Sequence, residues 1–203
     1  MITEETIDRA VRILERGGVI ALPTETVYGL VSYYGAGDSW KKIFLLKGRE
    51  EKKPLALFIK SLQEAEKFAS LPPLARQLSD IFWPGPLTIV LEKKKEVEFP
   101  WNTVGFRMPD HPFVRELLSR ISPLWSTSAN RAGEKSACTP EEVKEYFGGS
   151  IEMVVEEGKE LVRCVPSTVI RVSRTEAGIL REGAIRKEEV KKKLKIDKID
   201  HGF

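Results

Sequence analysis

Cysteine and histidine are scarce in this sequence, and their scarcity removes whole classes of chemistry. Cys138 and Cys164 are the only cysteines and form no C-x-x-C pair, so neither a disulfide framework nor a zinc ribbon is supported. His111 and His201 are the only histidines and lie far apart, so a dedicated protein metal site is not expected. No apolar run approaches the roughly 20 residues needed to cross a bilayer. The opening segment MITEETIDRA is acidic and helical in pattern rather than a signal peptide, so a cytoplasmic location away from membranes is expected. A large excess of either charge is missing too: 33 Lys and Arg face 30 Asp and Glu, a net charge of +3. That balance permits a phosphate-bearing ligand or RNA without demanding either. Internal repeats, low-complexity tracts and long linkers are absent. One domain over residues 1–203 is expected, with its core at 7–190 and a basic tail at 191–203.

What is present is organised around Gly17 to Leu30, GGVIALPTETVYGL. Val19 to Leu22 is a short apolar run without polar alternation, the pattern of a strand covered on both faces in a mixed or parallel sheet. Pro23 ends it, and Thr24, Glu25 and Thr26 follow just past the strand's C-terminal end, where open α/β sheets bind ligands. Residue types alone fit a turn with threonines capping backbone groups; hydroxyls there also suit a small polar ligand.

Before this stretch, Ile7, Ala10, Val11 and Leu14 fall at helical spacing. After it, Asp38 reads as the N-cap of a helix carrying Ile43 and Phe44 inward. Lys47, Arg49, Lys52 and Lys53 stand on that helix's end and the following loop, before an apolar strand from Leu55 to Ile59. They read either as a solvated loop complementing the helix dipole or as a phosphate clamp. Ser61 with Glu64 makes a capping box. WPGPLTIVLEKK is a rigid turn feeding a strand, punctuation without assigned chemistry.

Arg107 lies in the short strand TVGFRMP between Phe106 and Met108, and so needs a counter-charge. A structural Asp or Glu would serve, and so would a ligand carboxylate held by two hydrogen bonds. Ser126, Thr127, Ser128 and Asn130 crowd polar groups after another strand, before an emphatic helix start at Thr139-Pro140-Glu141-Glu142. Ser167 and Thr168 precede a β-branched strand, Arg181 ends the next one, and a lysine-rich helix spans Arg186 to Leu194.

The strings PTETVYGL, KGR with PL, WPGPLT, VGFRMP, STSAN, and PSTV with LREG stand in the order found in the YrdC-like family of threonylcarbamoyl-AMP synthases, which the chain resembles over residues 17 to 184. The resemblance is to the single-domain form. It implies an α/β fold, a twisted, mostly mixed or parallel sheet flanked by helices with a concave basic face. It implies an enzyme joining L-threonine, bicarbonate and ATP into threonylcarbamoyl-adenylate with release of pyrophosphate. Magnesium would come with ATP. The product would serve threonylcarbamoyladenosine formation in tRNA, making tRNA and the threonylcarbamoyl-transferase proteins the expected partners.

Carried over residue by residue, the resemblance puts Arg107 on the threonine carboxylate, with Thr26, Phe58, Ser128 and Ser167 around the amino acid. It puts Lys47, Arg49, Lys53 and Arg181 on phosphates, and Thr103, Ser128, Asn130 and Cys138 at the rest of the nucleotide site. Lys47, Arg49, Ser128 and Asn130 are the expected catalytic group. Phe58 stands where the family commonly has a histidine. The competing expectation is a non-catalytic relative that binds RNA or nucleotide in a basic cleft; a hydrogenase-maturation carbamoyl-transfer domain is disfavoured by the missing cysteine-rich modules.

Overall fold

The computed structural model describes residues 3–156, 164–174, 176–194 and 200–201. In chain order the elements are α1 (Glu4–Glu15), β1 (Val19–Leu22), β2 (Gly29–Tyr33), α2 (Ser39–Lys47), β3 (Ala56–Phe58), α3 (Leu62–Glu66), α4 (Pro73–Phe82), β4 (Leu87–Glu92) and β5 (Thr103–Arg107). They continue with α5 (Pro112–Arg120), β6 (Leu124–Ser128), α6 (Pro140–Phe147), a 3-10 turn (Gly148–Ser150), β7 (Met153–Val154), β8 (Thr168–Val172), β9 (Ala177–Arg181), α7 (Lys187–Leu194) and β10 (Asp200–His201). The ten strands among the described residues join one sheet in the order β10-β9-β8-β4-β5-β3-β6-β2-β1-β7. The sheet is mixed: β1 runs antiparallel to β2 and parallel to β7, while β5 runs parallel to β3 and antiparallel to β4.

Strand alternation divides the side chains between the two faces. Ile20 and Leu22 of β1 pack with Ile7, Ala10 and Leu14 of α1 and with Phe113, Leu117 and Leu118 of α5. Val19 and Ala21 point the other way, into the larger core with Ile43, Leu57, Leu78, Ile89 and Phe106. The expected two-sided burial of β1 follows directly, since all four of its residues are buried. On the α1/α5 face the covering helices stop short of the central strands. There every second residue is small or polar: Ala56, Thr88, Gly105 and Ser126 alternate with Leu57, Ile89, Phe106 and Trp125 of the core. The sheet therefore keeps one face closed and leaves a hollow across the middle of the other.

Several local expectations change. Asp38 precedes α2 but its carboxylate makes no cap; it pairs with Lys41 at 2.7 Å instead. Ser61 accepts from Glu64 N, but Glu64 Oε2 reaches Lys60 N and Ser122 Oγ rather than closing the box at Ser61. The two cysteines are bonded to each other with Cα atoms 5.5 Å apart, contrary to the expectation from their spacing. A separation of 26 residues carries no disulfide signal; the fold brings the segments before α6 and before β8 together. The basic tail begins inside α7, and Asp200–His201 adds a strand beside β9; residues 195–199 and 202–203 of that tail lie outside the described residues. No helix among the described residues is long and apolar enough to cross a membrane.

Candidate active site

The hollow is a cavity of about 390 Å³. Its floor is built from neighbouring strands in register, with Gly105 of β5 paired to Ala56 of β3 and to Val90 of β4. A Cβ on Gly105 would stand 3.1 Å from Thr88 Cγ2 and 3.3 Å from Ala56 Cβ, so the absent side chain is what keeps the floor open. Three guanidinium groups line the walls, those of Arg49, Arg107 and Arg181, with no Asp, Glu, His or Cys among the described lining residues. Hydroxyls of Thr88, Thr103, Ser128 and Ser167 line it as well. Such a set binds anions and orients polar groups; it offers no protein nucleophile–base pair and no donor set for a resident metal.

Arg107 is the most constrained of the three. It is only 5% exposed. Its Nη2 donates to Thr26 Oγ1 at 2.9 Å and lies 2.8 Å from Glu25 Oε1, and its Nε donates to the Gly85 carbonyl at 3.3 Å. The Phe58 ring, beside it on β3, has its centroid 5.7 Å from the guanidinium carbon. The counter-charge demanded by the sequence is thus Glu25, which leaves the cavity-facing side of Arg107 for a ligand. Thr26 itself is fully buried and reaches the site through Arg107 and through Thr24, a lining residue whose Oγ1 lies 2.8 Å from Thr26 Oγ1.

Arg181 donates from Nε and Nη2 to the Ser167 carbonyl at 3.1 and 2.8 Å, and Ser167 Oγ lies 2.9 Å from Thr88 Oγ1. Partial enclosure, and secondarily the like charge of Arg107, lower the Arg181 pKa from its ordinary value. Arg49 donates to the Pro54 carbonyl at 3.3 Å, while its Nε is buried with no hydrogen-bond partner among the described residues. Burial lowers its pKa as well. An unpaired buried N–H costs free energy that an incoming anion can recover.

Lys47 and Asn130 stand behind the cavity rather than in its wall. The Lys47 ammonium donates to the Ser128 carbonyl at 2.5 Å, the Asn130 carbonyl at 2.7 Å and Asn130 Oδ1 at 3.2 Å. Asn130 spends its amide on the Arg131 and Glu134 carbonyls and accepts from Ser128 Oγ. Ala129, Tyr28 and Ala137 exchange backbone bonds of 2.8 and 2.9 Å, so the loop after β6 is fixed to the PTETVYGL segment. Burial, reinforced by the nearby Arg49 charge, lowers the Lys47 pKa from 10.5 to about 7.

Of the residues singled out in the sequence, Arg49, Phe58, Thr103, Arg107, Ser128, Ser167 and Arg181 meet around the cavity. Thr26, Lys47 and Asn130 support that wall from behind. Lys53 is exposed on its loop, and Cys138 is taken up by Cys164; neither lines the cavity. Sequence reasoning missed Thr88 and the Gly85 carbonyl, both in the WPGPLT string treated as punctuation. A lone threonine in an otherwise apolar strand was the available signal for Thr88.

Comparison with known proteins gives a consistent picture. The family model Sua5_yciO_yrdC, described as "Telomere recombination", matches residues 12–183. The threonylcarbamoyl-AMP synthases of Pyrococcus abyssi and Bacillus subtilis are 36% and 34% identical to the chain over 94% and 97% of its length. The chain spans 58% and 59% of those two relatives, so they extend well beyond the matched region. The crystal structure of P. abyssi Sua5 complexed with L-threonine superimposes with a TM-score of 0.89 over 98% of this chain and 60% of that one, at 36% identity. Escherichia coli YciO shares the fold at a TM-score of 0.80 and 24% identity, over 94% of this chain and 95% of its own.

Proposed function

The chain belongs to the Sua5_yciO_yrdC family, and from that premise we propose that it is an L-threonylcarbamoyladenylate synthase, a nucleotidyltransferase acting in the cytoplasm on L-threonine, bicarbonate and ATP. The observation that carries the reading is the cavity itself. It has one guanidinium already paired to a carboxylate and two held only by carbonyl and hydroxyl oxygens, over a floor of small side chains. An amino acid presents one carboxylate and a nucleotide a string of phosphates, and this charge arrangement suits both together.

In this reading Arg107 holds the threonine carboxylate, with Phe58, Ser128 and Ser167 around the rest of the amino acid. Arg49 and Arg181 hold phosphates, and Thr103 faces the nucleotide. The threonine amine takes up carbon dioxide from bicarbonate, with loss of water, to give a carbamate. A carbamate oxygen then attacks the α-phosphorus of ATP, the bond to the β-phosphate breaks, and pyrophosphate leaves. Such a step needs aligned reactants and compensation of developing charge rather than a protein nucleophile. The lining residues do not make a protein metal site, so magnesium belongs to the substrate, carried on the phosphates. The mixed anhydride produced is activated for transfer to an amine, which fits consumption by a threonylcarbamoyl transferase acting on tRNA.

The test is pyrophosphate release from ATP with and without L-threonine and bicarbonate. Release that needs both co-substrates supports the synthase. ATP binding without release under any combination overturns it and leaves a nucleotide-binding relative.

A further inference from the structure

One carboxylate stands against the guanidinium cluster, and no step above uses it. Glu25 Oε1 lies 2.8 Å from Arg107 Nη2, yet both Glu25 oxygens are buried without an aligned hydrogen-bond donor among the described residues. The contact is therefore one of charge more than of hydrogen bonding. Glu25 does not line the cavity, so it meets Arg107 from the protein side. Together with Thr26 and the Gly85 carbonyl it occupies Nη2 and Nε, and Nη1 keeps no hydrogen-bond partner among the described residues. Arg49 and Arg181, in contrast, contact backbone carbonyls and the Ser167 hydroxyl and no carboxylate among the described residues.

Three arginines in one cavity create a sorting problem. A triphosphate carries several negative charges and an amino-acid zwitterion carries none in sum, so three equal guanidiniums would all be taken by phosphate. We propose that Glu25 is a positioning and charge-selecting residue: it fixes the guanidinium of Arg107 and cancels its charge, so that this subsite takes the single carboxylate of an amino acid and leaves phosphates to Arg49 and Arg181. The inference rests on the adenylate-forming reading, in which both ligands share the cleft, and it assigns the division between them to one residue outside the wall.

Glu25→Gln keeps the shape and removes the charge. Calorimetric titration with pyrophosphate should show roughly tenfold tighter binding to this variant than to the unaltered protein. A merely structural defect would weaken anion binding, not strengthen it. In the pyrophosphate-release assay the threonine KM should rise about tenfold, as phosphate competes for the Arg107 subsite. Adding Arg107→Met to Glu25→Gln should erase the pyrophosphate gain. Glu25→Asp, which retains the charge, should bind pyrophosphate as weakly as the unaltered protein. Unchanged or weaker pyrophosphate binding by Glu25→Gln overturns the inference, as does an equal gain in Glu25→Asp. If the unaltered protein releases no pyrophosphate from ATP while the binding gain is present, the adenylation reading falls and the charge sorting stands.

Discussion

Lys47 holds Asn130 at two oxygens, the backbone carbonyl at 2.7 Å and Oδ1 at 3.2 Å. With the Ser128 carbonyl as a third acceptor, the ammonium has its three hydrogens committed to the end of β6 and the loop after it. The Lys47 backbone carbonyl also accepts from Ala132 N at 2.9 Å. The residue works as a latch between the end of α2 and the cavity wall, which sets its expected phenotype apart from that of a phosphate ligand.

The latch should be visible in the pH dependence of stability. The folded-state pKa is lowered from 10.5 to about 7 by burial and by the Arg49 charge. Between those values the unfolded chain binds the extra proton, so stability rises with pH across that window. Below pH 7 both states carry the ammonium, and the cost of burying it is fully present. Urea melts from pH 7 to 10 should show a rise in the unaltered protein approaching about 1.4 kcal/mol per pH unit, absent in Lys47→Met. Equal slopes for the two proteins would sink this account.

Arg49 and Lys53 come from one basic segment and should behave differently. Arg49 lines the cavity with a buried, unpartnered Nε, and its guanidinium carbon lies 5.8 Å from the centroid of the Phe44 ring. Arg49→Ala should weaken ATP binding by at least about tenfold, the scale of a charge-assisted hydrogen bond of roughly 1.5–3 kcal/mol. Lys53 is exposed, and its removal should give a smaller loss that fades as salt is raised. Titration of both variants with ATP at low and high ionic strength separates the two behaviours.

The contrast between those residues shows what the sequence could carry. Periodicity located α1, β1 and the buried character of β1, because apolar spacing reports directly on which face is covered. Composition brought Arg107 forward, because a guanidinium between Phe106 and Met108 must find a partner. The identity of that partner, Glu25, depends on the strand order, which sets β5 beyond β3, β6 and β2 from β1. The same holds for the disulfide, whose cysteines meet only through the packing of two loops. Lys47 and Lys53 are indistinguishable as letters in KGREEKK; only burial makes one a latch and the other a surface charge.

Phe58 replaces a polar possibility with a stacking one. Its ring centroid is 5.7 Å from the Arg107 guanidinium carbon, within the range of a cation–π contact of about 0.5–2 kcal/mol. Phe58→Leu keeps the apolar bulk but loses the ring. Its threonine KM should rise about three- to tenfold, with the ATP KM unchanged, because in the proposed reading the ring steadies Arg107 and faces the amino acid rather than the nucleotide. Steady-state kinetics with each substrate varied in turn will show the split; a parallel rise in both constants would instead mean a general loosening of the cleft.

The Cys138–Cys164 bond closes a chain segment with a sequence separation of 26. Constraining the unfolded chain over a loop of that length is worth about 3.5 kcal/mol on the chain-entropy model. Denaturant melts with and without reductant should differ by roughly that amount, with the Cys138→Ser, Cys164→Ser double variant matching the reduced protein. Identical midpoints with and without reductant would mean that the bond adds no stability.

Gly183 ties the turn after β9 to the cavity wall. A Cβ built there would collide with the Pro166 carbonyl oxygen and stand 2.6 Å from the Ser167 carbonyl carbon, both backbone atoms that cannot swing aside. The Gly183 N–H also donates to Thr168 Oγ1 at 3.0 Å, so the turn is pulled toward the site of the clash. Relief by movement of the Pro166–Ser167 backbone would disturb Ser167, whose carbonyl holds Arg181 at 2.8 Å and whose hydroxyl lies 2.9 Å from Thr88 Oγ1. Gly183→Ala should therefore cost about 1–3 kcal/mol of stability through overpacking and weaken ATP binding in the same variant. Pairing it with Arg181→Met decides the route: if the glycine acts through Ser167 and Arg181, the second change adds little further loss of ATP affinity, whereas independent effects would multiply.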